Sequence, residues 1–498
     1  MHTFESSPFS IWRIIPELSV LLTDVLLLVL AIFFSRRQSL LDRLSYLLCM
    51  VVSCFALCWS VYKLTTPRYT MWDSFYINDS LVRIWDAVAC LIYMISLTYA
   101  TVFLKDSQNR SDFYPLSLMV LLGSLVMSSS NHFLSLYLGL EITSIATYTM
   151  VTFDRDIPES NEAAIKYFVL GAIASVIFLL GVSYSYGVLG DAYLHNAQLI
   201  KDSVFLNYSL LVVSVLLMFS SACFKLGVFP FHAWLPDVYA GASEVSLPFL
   251  MALAKVGAAI FAVKILFHGF SVLHSVWHPV LPAIALMTII FGNVVAVSQN
   301  NIRKILAFSS IAQMGFVLLA FFSSYYSPSY QSVINLNFYP AFLFFIFSYS
   351  LSVLAAVFFC IFVRKDSAPV KYLSDLSGIF HSNPFLSSMA CLAFLSLAGI
   401  PPLLGFWAKF FVVNQLVLTG HEVVASLSVI FSVIGVFYYL RIIKVMFFDR
   451  PQPEVSWCVT SYSSYVFLVV HCLSLLAIGV FSYPLIRIAS DMVYMTGL

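Results

Sequence analysis

Long apolar windows, interrupted by charge, proline, asparagine and glycine, run the length of the chain. They predict fourteen membrane spans at about 14–34, 44–62, 81–104, 114–131, 133–153, 162–187, 205–232, 245–267, 280–298, 304–324, 338–363, 384–418, 423–447 and 463–486. Most match or exceed the roughly 20 residues that cross a bilayer as a helix, and the connections are short. The pattern therefore predicts an all-α polytopic membrane protein without a large soluble domain. The first window reads as the first helix rather than a cleaved leader, because Glu5 and Glu17 flank its start and further spans follow.

Basic residues orient this bundle. Fourteen of the 25 Lys and Arg fall in connections that follow odd-numbered spans, six in the opposite connections and five within spans. By the positive-inside rule, the odd-to-even connections face the cytoplasm or matrix, and both termini lie on the other side. Composition agrees: 61% of the 498 residues are hydrophobic and 10% charged, against about 25% charged in soluble proteins. A formal net charge of +1 supplies no field for nucleic acid, so partners are expected in lipid and in other membrane subunits. The nine cysteines include no C-x-x-C pair, and no metal, cluster or disulfide is assigned. No dinucleotide, nucleotide-triphosphate or nucleophile-elbow motif appears, which places any redox reaction outside this chain.

Charge inside the spans carries the candidate chemistry. A charged side chain at mid-depth costs about 3 kcal/mol on insertion scales, so such groups mark ion or proton paths. Glu141 lies well inside span five, and Lys166 on span six is its expected ion-pair partner. Lys225 precedes Pro230, and a proline in a helix interior removes a hydrogen bond and breaks the helix. Lys255 lies in span eight. His232 follows the break and is expected to link water between Lys225 and Lys255, since imidazole donates and accepts from opposite nitrogens. Pro401 and Pro402 interrupt span twelve just before Lys409. Lysine suits proton exchange because burial lets an amine shed its proton near neutral pH, whereas arginine stays charged. Lys264, near the end of its span, is expected to snorkel. Asp237 and Glu244, in a positive-side connection, fit loop ion pairs or proton uptake equally.

Lys225 and Lys409 stand 184 residues apart, about five spans at roughly 36 residues per span and connection. That spacing predicts two inverted five-helix repeats, spans 4–8 and 9–13, with helices 7 and 12 broken. The chain then divides into N-terminal helices 1–3 (1–110), a first repeat (111–270), a second repeat (279–450) and a C-terminal helix 14 (451–498).

The runs SLYLGLEITSIATYTM, EAAIKYFVLGAIAS, ACFKLGVFPFHAWLPDVYAGA, LAFSSIAQMGF and LAGIPPLLGFWAKF, in order over 135–410, resemble motifs of the antiporter-like membrane subunits of respiratory complex I, the proton-pumping NADH:quinone oxidoreductase. By that resemblance Glu141 is the essential acid of helix five and Lys166 its partner on helix six. Lys225 belongs to broken helix seven, Lys255 to helix eight, and Lys409 is the terminal lysine of broken helix twelve. Lysine at 409 favours the subunit N branch over subunit M, which has glutamate there. The resemblance implies a non-redox subunit of a translocase, with no cofactor in this chain. NADH, FMN, iron-sulfur clusters and quinone are expected in partner subunits. The partners are neighbouring antiporter-like and small membrane subunits, in a bacterial plasma membrane or mitochondrial inner membrane. The alternative is a subunit of a multisubunit cation/proton antiporter. One departure stands out: after YAGA the chain reads SEVSLPFLMALAK where the family has a proline-rich stretch, which makes Glu244 an additional charge.

Overall fold

The computed structural model describes residues 14–33, 38–64, 66, 69–72, 74–104, 110–153, 156–194, 208–326, 334–335, 338–365, 368–450, 457–459 and 462–495. Of the basic residues that set the expected orientation, Arg13, Arg36, Arg37, Arg68, Lys105, Arg155 and Lys201 lie outside these. The helices are α1 (Ile15–Phe33), α2 (Gln38–Tyr62), α3 (Ser80–Leu104), α4 (Arg110–Ser129), α5 (Phe133–Val151), α6 (Pro158–Leu189), α7 (Tyr208–Leu226), α8 (Trp234–Gly241) and α9 (Phe249–Gly269). They continue as α10 (Leu281–Ser298), α11 (Ile302–Phe322), α12 (Phe338–Phe362), α13 (Pro384–Ala398), α14 (Leu404–Leu418), α15 (Glu422–Phe448), α16 (Tyr462–Val480) and α17 (Ser482–Met495). Among the described residues, twelve helices are long and apolar enough to cross a membrane. The pair α16–α17, bent by 70°, brings the count to thirteen when taken as one span, and α13 and α14 are shorter apolar helices of 15 residues each. The fold is thus the all-α polytopic bundle expected.

Two spans are interrupted at a left-handed glycine. The seventh stops at Leu226 and resumes as α8 only at Trp234, while the twelfth stops at Ala398 and resumes at Leu404. Each first half ends in a left-handed glycine, Gly227 at φ +73° and Gly399 at φ +86°. Only glycine takes that conformation without a steric penalty, so it terminates the helix and leaves its last carbonyls without intrahelical partners.

Helices α9, α11 and α12 form the enclosed centre: 94%, 100% and 94% of their apolar windows are buried, against 22% for α1 and 28% for α15. The outer helices present Leu, Val, Ile and Phe outward, as a lipid-facing surface requires. Close helix approach rests on small residues: a Cβ on Gly123 of α4 would stand 2.6 Å from the Gly139 carbonyl of α5. The starts of α5 and α11 are tied in the same way. Phe133 N donates to Ala192 O and Leu194 N to Asn131 O, while Ile302 N donates to Lys371 O and Leu373 N to Asn300 O. A short antiparallel hairpin, β1 (Tyr69–Met71) with β2 (Tyr76–Asn78), covers the end of the bundle near the start of α5.

Candidate functional site

The centre of α5 meets α7. Lys225, in the last turn of α7, is buried, and its ammonium donates to Ser144 Oγ at 2.7 Å and Tyr148 OH at 3.2 Å. Glu141 precedes Ser144 by three residues and so shares its face of α5. The carboxylate of Glu141 accepts a short hydrogen bond from Ser175 of α6. The expected Glu141–Lys166 pair does not form. Lys166 instead pairs with Glu162, one turn earlier on α6, at 2.8 Å, and with Asp237 of α8 at 3.1 Å. The reason is depth: on α6 the residue level with Glu141 is Ser175, about 13 Å of helix rise beyond Lys166. Lys166 belongs to an aqueous cleft of about 710 Å³ that also holds Glu159, Asp237, Glu244, Arg303 and Lys304.

At the end of α7 the ammonium of Lys255 donates to Leu226 O at 2.6 Å and lies 5.6 Å from the Trp234 ring centroid. A Cβ on Gly227 would stand 3.2 Å from that nitrogen. A helix C-terminus carries a partial negative charge, so an amine docks there on both hydrogen-bonding and dipole grounds. Lys225 and Lys255 share a cavity of about 20 Å³, room for a water, walled by Thr143, Ser144, Thr147, Tyr167 and Tyr239. His232 does not line it. The imidazole stacks on Phe229 and Phe291 on the far side of the break, with Nδ1 buried and unbonded among the described residues.

The second break repeats the arrangement with a different lysine. Lys409 of α14 donates to Ala398 O at 3.0 Å, Leu397 O at 3.4 Å and Ser432 Oγ at 3.3 Å. A Cβ on Gly399 would stand 3.3 Å from its nitrogen. Sequence spacing paired Lys409 with Lys225, but the structure corrects that register. Lys225 lies two residues before Gly227 and Lys409 ten residues after Gly399. The ammonium that occupies at the first break the place of Lys409 at the second is that of Lys255. A cavity of about 10 Å³ beside Lys409 is lined by Gln313, Ser348, Tyr349, Ser352 and Ser396.

Sequence reasoning missed the groups between these cavities. Tyr239, from the first, donates to Leu250 O at 3.2 Å, and Tyr349, from the second, donates to Met251 O at 3.1 Å and shares a hydrogen bond of 2.7 Å with the Ser310 hydroxyl. Both carbonyls belong to the π-helical opening turn of α9, Phe249–Leu253, a widened geometry common at functional sites. Isolated hydroxyls in apolar helices carry no pattern in sequence.

The additional charge, Glu244, is a clamp. Its carboxylate meets Arg303 at 3.3 Å and Arg364 at 2.6 Å, with all three side chains less than one-fifth exposed. It holds the α8–α9 connection, where the Ser246 hydroxyl bonds back to Ser243 O and the Ser243 hydroxyl donates to Met150 O of α5, against Arg303 at the start of α11 and Arg364 just after α12. Glu244→Gln leaves two arginines without their counter-charge and is expected to cost about 2 kcal/mol. Thermal unfolding of the solubilised protein checks this, and an unchanged midpoint counts against the clamp.

A model of the family described as NADH:quinone oxidoreductase/Mrp antiporter, TM matches residues 130–435. The NADH-quinone oxidoreductase subunit N of Azoarcus sp. (strain BH72) is 34% identical over 93% of this chain and 94% of its own length. Among solved structures, a chain of respiratory complex I from Thermus thermophilus superposes with TM-score 0.78, at 24% identity over 95% of this chain and 98% of that one. A chain of the Mrp complex from Dietzia sp. DQ12-45-1b gives 0.82 at 18% identity, covering 97% of each. These two likenesses show the shared fold.

Proposed function

Because the chain belongs to the NADH:quinone oxidoreductase/Mrp antiporter transmembrane family, we propose that it is a proton-translocating membrane-arm subunit of an NADH:quinone oxidoreductase. Its protons move along a buried Glu/Lys/water path, driven by quinone reduction in neighbouring subunits. The observation that carries this reading is the pair of polar cavities, each with an ammonium docked on the carbonyl end of a broken helix, joined by Tyr239, Ser310 and Tyr349. Broken helix ends at mid-depth are a transporter's means of presenting backbone dipoles to an ion.

In this scheme protons enter from the Lys166–Asp237 cleft, on the cytoplasmic or matrix side by the positive-inside rule. They reach Lys225, whose proton affinity responds to Glu141 one turn from Ser144. They pass to Lys255 within the shared cavity, then through the tyrosine hydroxyls to Lys409. His232, packed against Phe229 and Phe291, lines neither cavity and takes no step between Lys225 and Lys255 in this scheme. Residues 111–270 and 279–450 act as two inverted repeats, a division supported by the matching glycine breaks 172 residues apart and by the like-tied starts of α5 and α11. NADH, FMN, iron-sulfur clusters and quinone belong to partner subunits.

The test is to isolate the membrane assembly that contains this chain and reconstitute it in vesicles. NADH-driven proton uptake or release that stops with a quinone-site inhibitor is the expected result. Proton movement coupled only to a sodium or potassium gradient, indifferent to NADH, overturns the assignment in favour of a cation/proton antiporter.

A further inference from the structure

At the end of the bundle away from the Lys166 cleft, a second group of ionisable side chains lies buried, and the path above does not use it. Asp86 of α3 is 2% exposed and accepts a hydrogen bond from Ser128 Oγ of α4 at 2.5 Å. Arg83, three residues earlier on α3, is buried and donates to Asn78 Oδ1 at 2.6 Å. Lys264 does not snorkel as expected: it is 4% exposed and turns inward to donate to Ser130 O at 3.1 Å. Glu17 of α1, half-buried, accepts from Tyr76 OH of the covering hairpin at 3.1 Å, and its second oxygen is buried with no hydrogen-bond partner among the described residues. Two turns along α1 on the same face, Asp24 is 1% exposed, and neither of its carboxyl oxygens has a hydrogen-bond partner among the described residues.

A buried carboxyl with no donor is costly and calls for a proton, a water or an ion to satisfy it. A static hydrogen-bonded cluster accounts for Asp86 and Lys264 but not for Asp24 or the second oxygen of Glu17. The group is also connected to the lysine cavity. Lys255 and Lys264 lie on the same helix nine residues apart, about 13 Å of rise. On α4, which packs against α9, Met127 lines the Lys225–Lys255 cavity and Ser128 is bonded to Asp86. One turn earlier, Ser124 Oγ lies 3.3 Å from where a Cβ on Gly257 of α9 would stand.

We propose that Asp86, with Glu17 and Lys264, is a proton-release site fed from the Lys225–Lys255 cavity along the hydroxyls of α4. This rests on the proton-translocating reading above and adds a way out from its first half. A proton leaving the Lys255 ammonium passes through water and the Ser124 and Ser128 hydroxyls, converting the Asp86 carboxylate to the acid. Asp86 hands it to Glu17, which releases it at the rim under the hairpin. Lys255 is left as a neutral amine and is recharged from Lys225. Release through Glu17 returns Asp86 to the carboxylate that accepts from Ser128, which resets the site.

The test uses the intact assembly in vesicles, with NADH as reductant. Asp86→Asn keeps the shape and the Ser128 contact but cannot carry the proton, so release from the first half stops and pumping is expected to fall to about half, the exit through Lys409 staying open. Asp86→Glu is expected to recover at least half of the loss. The dependence of turnover on pH at the release side should change in Asp86→Asn, a readout that a purely structural role leaves alone. Lys225→Ala, made in parallel, separates the two claims. If Lys225→Ala loses pumping while Asp86→Asn pumps as the parent does, this site is overturned and the main reading stands. If Lys225→Ala pumps normally, the main reading falls. Should Asp86→Asn not assemble, Glu17→Gln at the half-buried rim is measured instead, with normal pumping again overturning the site.

Discussion

Lys225→Ala should reduce both proton pumping and NADH:quinone turnover about tenfold or more in the reconstituted assembly, the range expected for removing a positioned proton-transfer group. The argument starts from what the ammonium touches. It bonds Ser144 and Tyr148 on α5 and shares a cavity with Lys255, and among the described residues no other amine lines that cavity. Alanine leaves those hydroxyls without their donor and opens space that water fills, so a proton arriving from the Lys166 cleft finds no group to hold it. Lys225→Arg sharpens the result. Guanidinium keeps the positive charge but does not release its proton in proteins, so a path that needs exchange fails with arginine as it does with alanine. A site that needs only positive charge works with arginine. Pumping in Lys225→Arg at the parental level therefore refutes proton exchange at this position, even if the alanine variant is inactive.

The contrast between Lys225 and Lys166 shows what a sequence makes legible. A lone charge inside an apolar run is visible at once, because lipid tolerates it so poorly. Glu141, Lys225, Lys255 and Lys409 all stand out for that reason, and the fourteen spans follow from the same contrast. The signal fixes depth along one helix only. It does not say which neighbour lies at that depth, so Glu141 was paired with the lysine on the next helix rather than with Ser175. The lateral partner of Lys166, Asp237, is 71 residues away and depends on how α8 folds back beside α6. The register of the two breaks was hidden for a related reason. A lysine side chain is long, so the ammonium that reaches a helix end need not belong to the helix that breaks. Asp24 and Asp86 are legible on the same ground as the lysines, since each is an acid within a predicted span. Tyr239, Ser310 and Tyr349 were not legible, since hydroxyls are ordinary in membrane helices and only their convergence on the π turn of α9 distinguishes them.

Lys255→Gln is expected to assemble normally and to lose pumping about tenfold or more. The ammonium does two separable things at the end of α7. It satisfies the Leu226 carbonyl, which the left-handed turn at Gly227 leaves without an intrahelical partner, and it supplies a proton that can move within the cavity. Glutamine retains an N–H donor for the carbonyl, so the helix end stays capped and the thermal midpoint should shift little. It has no proton to exchange, so transfer from Lys225 stops there. Lys255→Met removes both properties and should destabilise as well, by about 1 to 3 kcal/mol for an unsatisfied buried carbonyl. The separation between these two variants is the informative quantity. If both lose stability together while the glutamine variant pumps like the parent, Lys255 is a helix cap. If glutamine preserves stability and abolishes pumping, the ammonium at the break is a carrier. The same pair of substitutions at Lys409 should then behave alike, because its nitrogen occupies the corresponding place against Ala398 O and Gly399.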